Sequence, residues 1–220
     1  MDAGLGNDHT TWDPVIDAVS AVSQVCTYDR ANVGSSDPAP TPRTSVDVVA
    51  DLEALLRAAG VASPYVLVGH SWGGVNVRLF AEMHPEEIAG LVLVDGSPAP
   101  GFDRRICQTN KADCSPSQNP SEYPEGLDLS KSDEELRAGG SLPSVPLVVL
   151  AATHHECDDP RPGTCLRIEA LALVIQRETA AAVPGGQLVI ATGSGHYIQN
   201  DRPDLVVEAI EAVVRKVRGP

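Results

Sequence analysis

Apolar positions along the chain fall into two kinds of run that alternate. Strand-length, β-branched runs at 24–28, 65–68, 91–94, 147–152 and 187–191 are separated by segments whose apolar residues recur every three or four positions. Asp13-Pro14 supplies an N-cap and a first helical residue, and Val15, Ile16, Val19 and Val22 follow at helical spacing. Thr44 or Ser45 caps a second helix carrying Val49, Leu52, Leu55, Leu56 and Ala59 on one face, and Gly60 stops it. Further helices are expected at 73–83, closed by His84-Pro85, and around 166–178. A last helix opens at Pro203, with Leu205, Val206, Ile210, Val213, Val214 and Val217 on its apolar stripe. The 91–94 run does not alternate with polar residues, so it reads as a strand covered on both faces. Strands alternating with helices predict an α/β fold, a mostly parallel sheet with helices on both faces.

The pattern breaks between 97 and 142. This stretch is rich in Pro, Ser, Gly and charge, and its clearest helix signal is the capping box Ser132-Asp133-Glu134-Glu135. A segment of this length without regular periodicity is more often a lid or binding loop than a simple connection. The expected organisation is therefore a core formed by 1–96 and 143–220, with 97–142 inserted as a cap. No internal repeat is visible.

Composition narrows the classes of partner. The chain of 220 residues has 16 Lys+Arg against 30 Asp+Glu, a formal net charge of −14. Nucleic acid and anionic membrane surfaces are disfavoured as partners, because both are bound by neutralising phosphates with Lys and Arg. No apolar run approaches the roughly 18–20 residues needed to span a bilayer. Cys107 and Cys114 stand close together in sequence, as do Cys157 and Cys165, while Cys26 lies alone in an apolar run. Two short-range pairs in polar segments are expected to be disulfides, which favours a secreted or other oxidising location over the cytoplasm. A metal site built on His154-His155-Glu156-Cys157 is a weaker reading, because no second cluster has zinc-site spacing.

The chemistry concentrates in two places. Gly69-His70-Ser71-Trp72-Gly73 follows a strand and opens a helix, the setting of a serine held on a sharp, strained turn with small residues on either side. Such a serine needs a base. Among six histidines, His196 lies in Gly193-Ser194-Gly195-His196, just past the last strand, where open α/β sheets place groups that contact ligands. His70 reads as packed beside the turn, His84 as a helix C-terminal residue and His9 as a loop residue.

With these pieces in view, the chain resembles the α/β-hydrolase fold serine hydrolases of the bacterial esterase and peptidase-like group. The matching residues are Ala3-Gly4-Leu5-Gly6, Tyr28-Asp29-Arg30 with Gly34-Ser35-Ser36-Asp37-Pro38, the Gly69–Gly73 turn, Leu91-Val92-Leu93-Val94-Asp95, and Gly195-His196 with Arg202-Pro203. The resemblance implies Ser71 as nucleophile and His196 as base, with an oxyanion hole made by the backbone N–H groups of Trp72 and Leu5. The acid stays open. Asp95 ends the 91–94 strand directly, whereas Asp158 or Asp159 would need a loop that folds back, and Glu156 is a weaker candidate.

By this resemblance the chain starts where a central strand would end, so the strands before it are expected to be missing from the sequence. The activity implied is cleavage of a small carboxylic ester through an acyl-enzyme, with no metal or organic cofactor. An amidase or aminopeptidase on the same triad, and a non-catalytic ligand-binding protein on the same fold, remain as alternatives. The scarcity of large apolar residues in 97–142 points to a small or polar substrate.

Overall fold

The computed structural model describes residues 1–96, 124–155 and 163–219. Its strands are β1 (Tyr65–His70), β2 (Ile88–Val94), β3 (Leu147–Ala152) and β4 (Gln187–Ala191). The helices are α1 (Asp13–Ser20), α2 (Ser45–Ala58), α3 (Trp72–Met83), α4 (Leu129–Ala138), α5 (Thr164–Ala181), α6 (Ile198–Asp201) and α7 (Pro203–Arg218). The strands form one sheet in the order β1-β2-β3-β4, and every pairing is parallel. This is the α/β architecture that the alternating pattern predicts.

The unbroken apolar sequence of β2 and β3 follows from their place in the middle of the sheet. Odd and even positions face opposite layers, and both layers are covered by helices. Val92, Val94, Val148 and Leu150 pack against Val15 and Val19 of α1 and Val206, Ile210 and Val213 of α7. Leu91, Leu93, Leu147 and Val149 pack against Val49 and Leu52 of α2 and Val75, Leu79 and Phe80 of α3. At about 25 cal/mol per Å² of apolar surface removed from water, these two layers are the main favourable term holding the sheet in place.

Two local expectations are corrected. Residues 24–28 do not form a strand. A strand needs a ladder partner, and a cavity of about 300 Å³ lined by Gln24, Val25, Tyr65 and Val66 separates this segment from β1. The Met1 ammonium, donating to the Cys26 carbonyl at 2.7 Å, reaches across at one end. The second correction concerns α4, which starts a turn before the capping box. Asp128 is its N-cap and accepts from the Lys131 N–H, so Ser132 lies inside the helix. The Ser132 hydroxyl donates to the Asp128 carbonyl and accepts from the Ser45 N–H at 2.9 Å, which ties α4 to the start of α2.

Of the expected cap, 97–123 lies outside the described residues. Residues 124–138 dock closely on the core, with Leu127 and Leu136 buried. Cys107, Cys114 and Cys157 also lie outside the described residues, so both expected disulfide pairs do too. No described helix is long and apolar enough to cross a membrane.

Candidate active site

The ends of β1, β2 and β4 bring the sequence candidates together. Ser71 links β1 to α3 with φ 51° and ψ −122°, in the positive-φ region that side chains rarely occupy. The strain persists because the surroundings fix it from both sides. The Ser71 N–H donates to the Val94 carbonyl at 3.2 Å, and the Ser71 carbonyl accepts from the Gly74 N–H at 2.9 Å. Gly73 must be glycine for a packing reason: a Cβ there would lie 2.3 Å from the Asp2 carbonyl oxygen and 2.5 Å from that of Ala3.

The loop at 3–6 lies over this turn. A Cβ on Gly4 would come within 3.2 Å of the Ser71 Cβ, so the chain around Leu5 is near the hydroxyl. Trp72 is the first residue of α3, at the positive end of the helix. Among the described residues, neither the Leu5 nor the Trp72 N–H has an acceptor.

Asp95 ends β2 with φ 40°. Its carboxylate is buried and accepts three hydrogen bonds. The Ala152 N–H donates to Oδ1 at 3.0 Å, while His196 Nδ1 and His155 Nε2 both meet Oδ2, at 2.6 Å and 2.8 Å. Because a carboxylate accepts, both ring nitrogens carry protons. Burial alone would raise the Asp95 pKa, but the bonds from His155 and His196 outweigh it and hold the group well below the usual carboxylate range. Its bond to Asp95 raises His155 above the ordinary histidine value, against the opposing effect of burial.

Of the rival acids, Asp158 and Asp159 lie outside the described residues, as does Glu156. Among the described residues the Ser71 hydroxyl makes no hydrogen bond, so none joins it to the His196 ring. His70, expected beside the turn, is fully buried, and its ring centroid lies 4.8 Å from that of His196.

Asp95, His155 and His196 are also of metal-ligating type. In this structure they are joined by hydrogen bonds of 2.6 and 2.8 Å. His154, the other half of the histidine pair, faces Glu169 at 3.7 Å.

A buried ionic network supports the 3–6 loop. Arg30 pairs with Asp2 and donates to the Ala3 and Gly4 carbonyls, each at 2.6 Å. It also meets both Glu125 oxygens, at 2.6 and 2.8 Å, and Glu125 accepts from the Gly6 N–H at 2.7 Å. Arg30 was legible as part of Tyr28-Asp29-Arg30. Glu125 carried no signal, because it lies in an irregular segment far away in sequence.

Comparison with known proteins gives the family. The family described as alpha/beta hydrolase fold matches residues 3–108. A Bacillus subtilis protein, YqjL, is 30% identical over 213 residues, which is 96% of this chain and 80% of YqjL. The chain belongs to the alpha/beta hydrolase family. A putative carbamate hydrolase, RutD of Azorhizobium caulinodans, is 36% identical over 112 residues, covering 50% of this chain and 42% of RutD. In two larger relatives the matched region is 14% of the length. Among solved structures, the enol-lactonase of Burkholderia xenovorans superposes with a TM-score of 0.68 at 19% identity, covering 97% of this chain and 89% of the lactonase. Membership of this family, with relatives of these kinds, supports a hydrolytic function.

Proposed function

We propose that the protein is a serine hydrolase that cleaves a small carboxylic ester through an acyl-enzyme. Ser71 Oγ attacks the ester carbonyl and gives its proton to His196 Nε2. The oxyanion that develops is held by the N–H groups of Trp72 and Leu5. His196 then protonates the leaving alcohol, and water, activated by the same ring, releases the acid. Asp95 keeps the imidazole proton on Nδ1 and so leaves the Nε2 lone pair free. The observation that carries this reading is the 2.6 Å contact from His196 Nδ1 to Asp95 Oδ2, beside a serine in a strained strand-to-helix turn.

Incubation of folded protein with a fluorophosphonate probe tests it. A covalent adduct on Ser71, together with p-nitrophenyl acetate and butyrate turnover that Ser71→Ala abolishes, is the expected result. Equal background rates for wild type and Ser71→Ala would instead favour a non-catalytic ligand-binding protein, the reading suggested by a serine not hydrogen-bonded to the histidine. The likeness to a putative carbamate hydrolase favours a C–N bond as the second choice of substrate. Side-by-side rates on acyl esters, carbamates and aminoacyl anilides separate these.

A further inference from the structure

Asp95 Oδ2 is shared by two histidines, and the chemistry above uses one. We infer that His155 is a positioning residue that keeps His196 available as a neutral base at acidic pH; this rests on the serine hydrolase reading. The geometry has three parts. His155 Nε2 donates to the oxygen that accepts from His196, at 2.8 Å against 2.6 Å. The two rings have centroids 6.0 Å apart. The other nitrogen of His155, Nδ1, is buried with no partner among the described residues.

The physical effect has one sign. A hydrogen bond from His155 draws charge off Oδ2, which lowers the attraction of that oxygen for a positively charged His196. As pH falls, Asp95 favours protonation of His155, and the cation formed then opposes a second positive charge on the neighbouring ring. Both effects weaken the pull of Asp95 on a positive charge in the His196 ring.

Among the described residues, the other groups around the cluster do not substitute for it. His70, at the end of β1, is held neutral by burial. Glu169 of α5 accepts from the His155 N–H at 3.4 Å and faces His154. Asp201 of α6 is occupied with the Gly195 N–H at 2.8 Å. Tyr197 stacks on His70 and donates its hydroxyl to Asn7. Among the described residues, His155 is thus the cation-forming group in direct contact with Asp95 besides His196.

The test compares kcat/KM against pH for wild type, His155→Leu and His155→Gln. With His155→Leu the acidic limb is expected to move up by roughly half to one pH unit, a loss of about threefold to tenfold on that limb. His155→Gln, which keeps an N–H in reach of Asp95 but cannot become a cation, is expected to lie between. Superimposed limbs for all three proteins overturn the inference.

A second measurement does not depend on turnover or on any substitution at His155. In Ser71→Ala protein the His196 Nδ1 proton, bonded to a carboxylate, is expected far downfield in the proton NMR spectrum. It should shift at the pH where the His155 ring titrates. A resonance that ignores His155 titration overturns the proposal, whether or not Ser71 proves to be a nucleophile.

Discussion

The Nε2 of His70 donates to the backbone carbonyl of His196 at 3.0 Å, joining the end of β1 to the loop after β4. A carbonyl can only accept, so the proton is on Nε2, and the buried Nδ1 has no partner among the described residues. His70 therefore has a neutral ring, and its function is to hold the loop that carries the candidate base.

Burial, reinforced by the nearby His196, lowers His70 to about 4 from its ordinary 6.5. A depressed histidine means that the unfolded chain binds more protons than the folded one. Its contribution is present above pH 6.5 and is lost as pH falls toward 4. Urea unfolding at pH 7 and at pH 4.5 is expected to show a loss on the order of 2 kcal/mol from this group. The slope should flatten in His70→Gln.

Asp95→Asn is expected to leave the fold intact, because the amide oxygen can still accept from the Ala152 N–H. Turnover should fall by roughly 10⁴, since the amide favours the wrong imidazole tautomer. Asp158→Asn and Asp159→Asn should each change the rate little. Steady-state kinetics on one ester decides between them.

Arg30 neutralises both Asp2 and Glu125 in a buried setting. Removing one partner of such a network leaves uncompensated charge, so Arg30→Met should cost about 3–5 kcal/mol of stability in chemical denaturation. Glu125→Gln keeps an acceptor for the Gly6 N–H and should cost less. Where the folded fraction is equal, both are expected to slow fluorophosphonate labelling of Ser71, because they loosen the loop carrying Leu5.

Gly73→Ala forces a methyl group into the Asp2 and Ala3 carbonyl oxygens. Either the turn or the overlying loop must move. The expected outcome is loss of labelling at Ser71 with helical circular dichroism retained.

The layers of the fold could be read from the sequence because the apolar periods of helices and buried strands differ. The places of Ser71 and Asp95 could be read as well, since each follows a strand directly and a strand end fixes where a side chain begins, while His196 could be placed only in the loop after β4. His155 was visible as a residue but not as a partner of Asp95. Its position depends on how the chain leaves β3, and no periodicity records that. Glu125 was hidden for the same reason, as was the early start of α4, where Asp128 outcompeted a better-looking capping box. The false strand at 24–28 had the right composition, but composition does not supply the neighbour a ladder needs.

The backbone contacts that seat the site form a staircase across the sheet. Ser71 hangs from the carbonyl of Val94, Asp95 hangs from the carbonyl of Leu150, and the Asp95 side chain is hooked to the N–H of Ala152. Each step rests on the next strand over. Ser71 therefore reaches its place only once β2 is docked, and Asp95 only once β3 is. The site is consequently complete only where three neighbouring strands are in register, and a slip between any two of them would dismantle it.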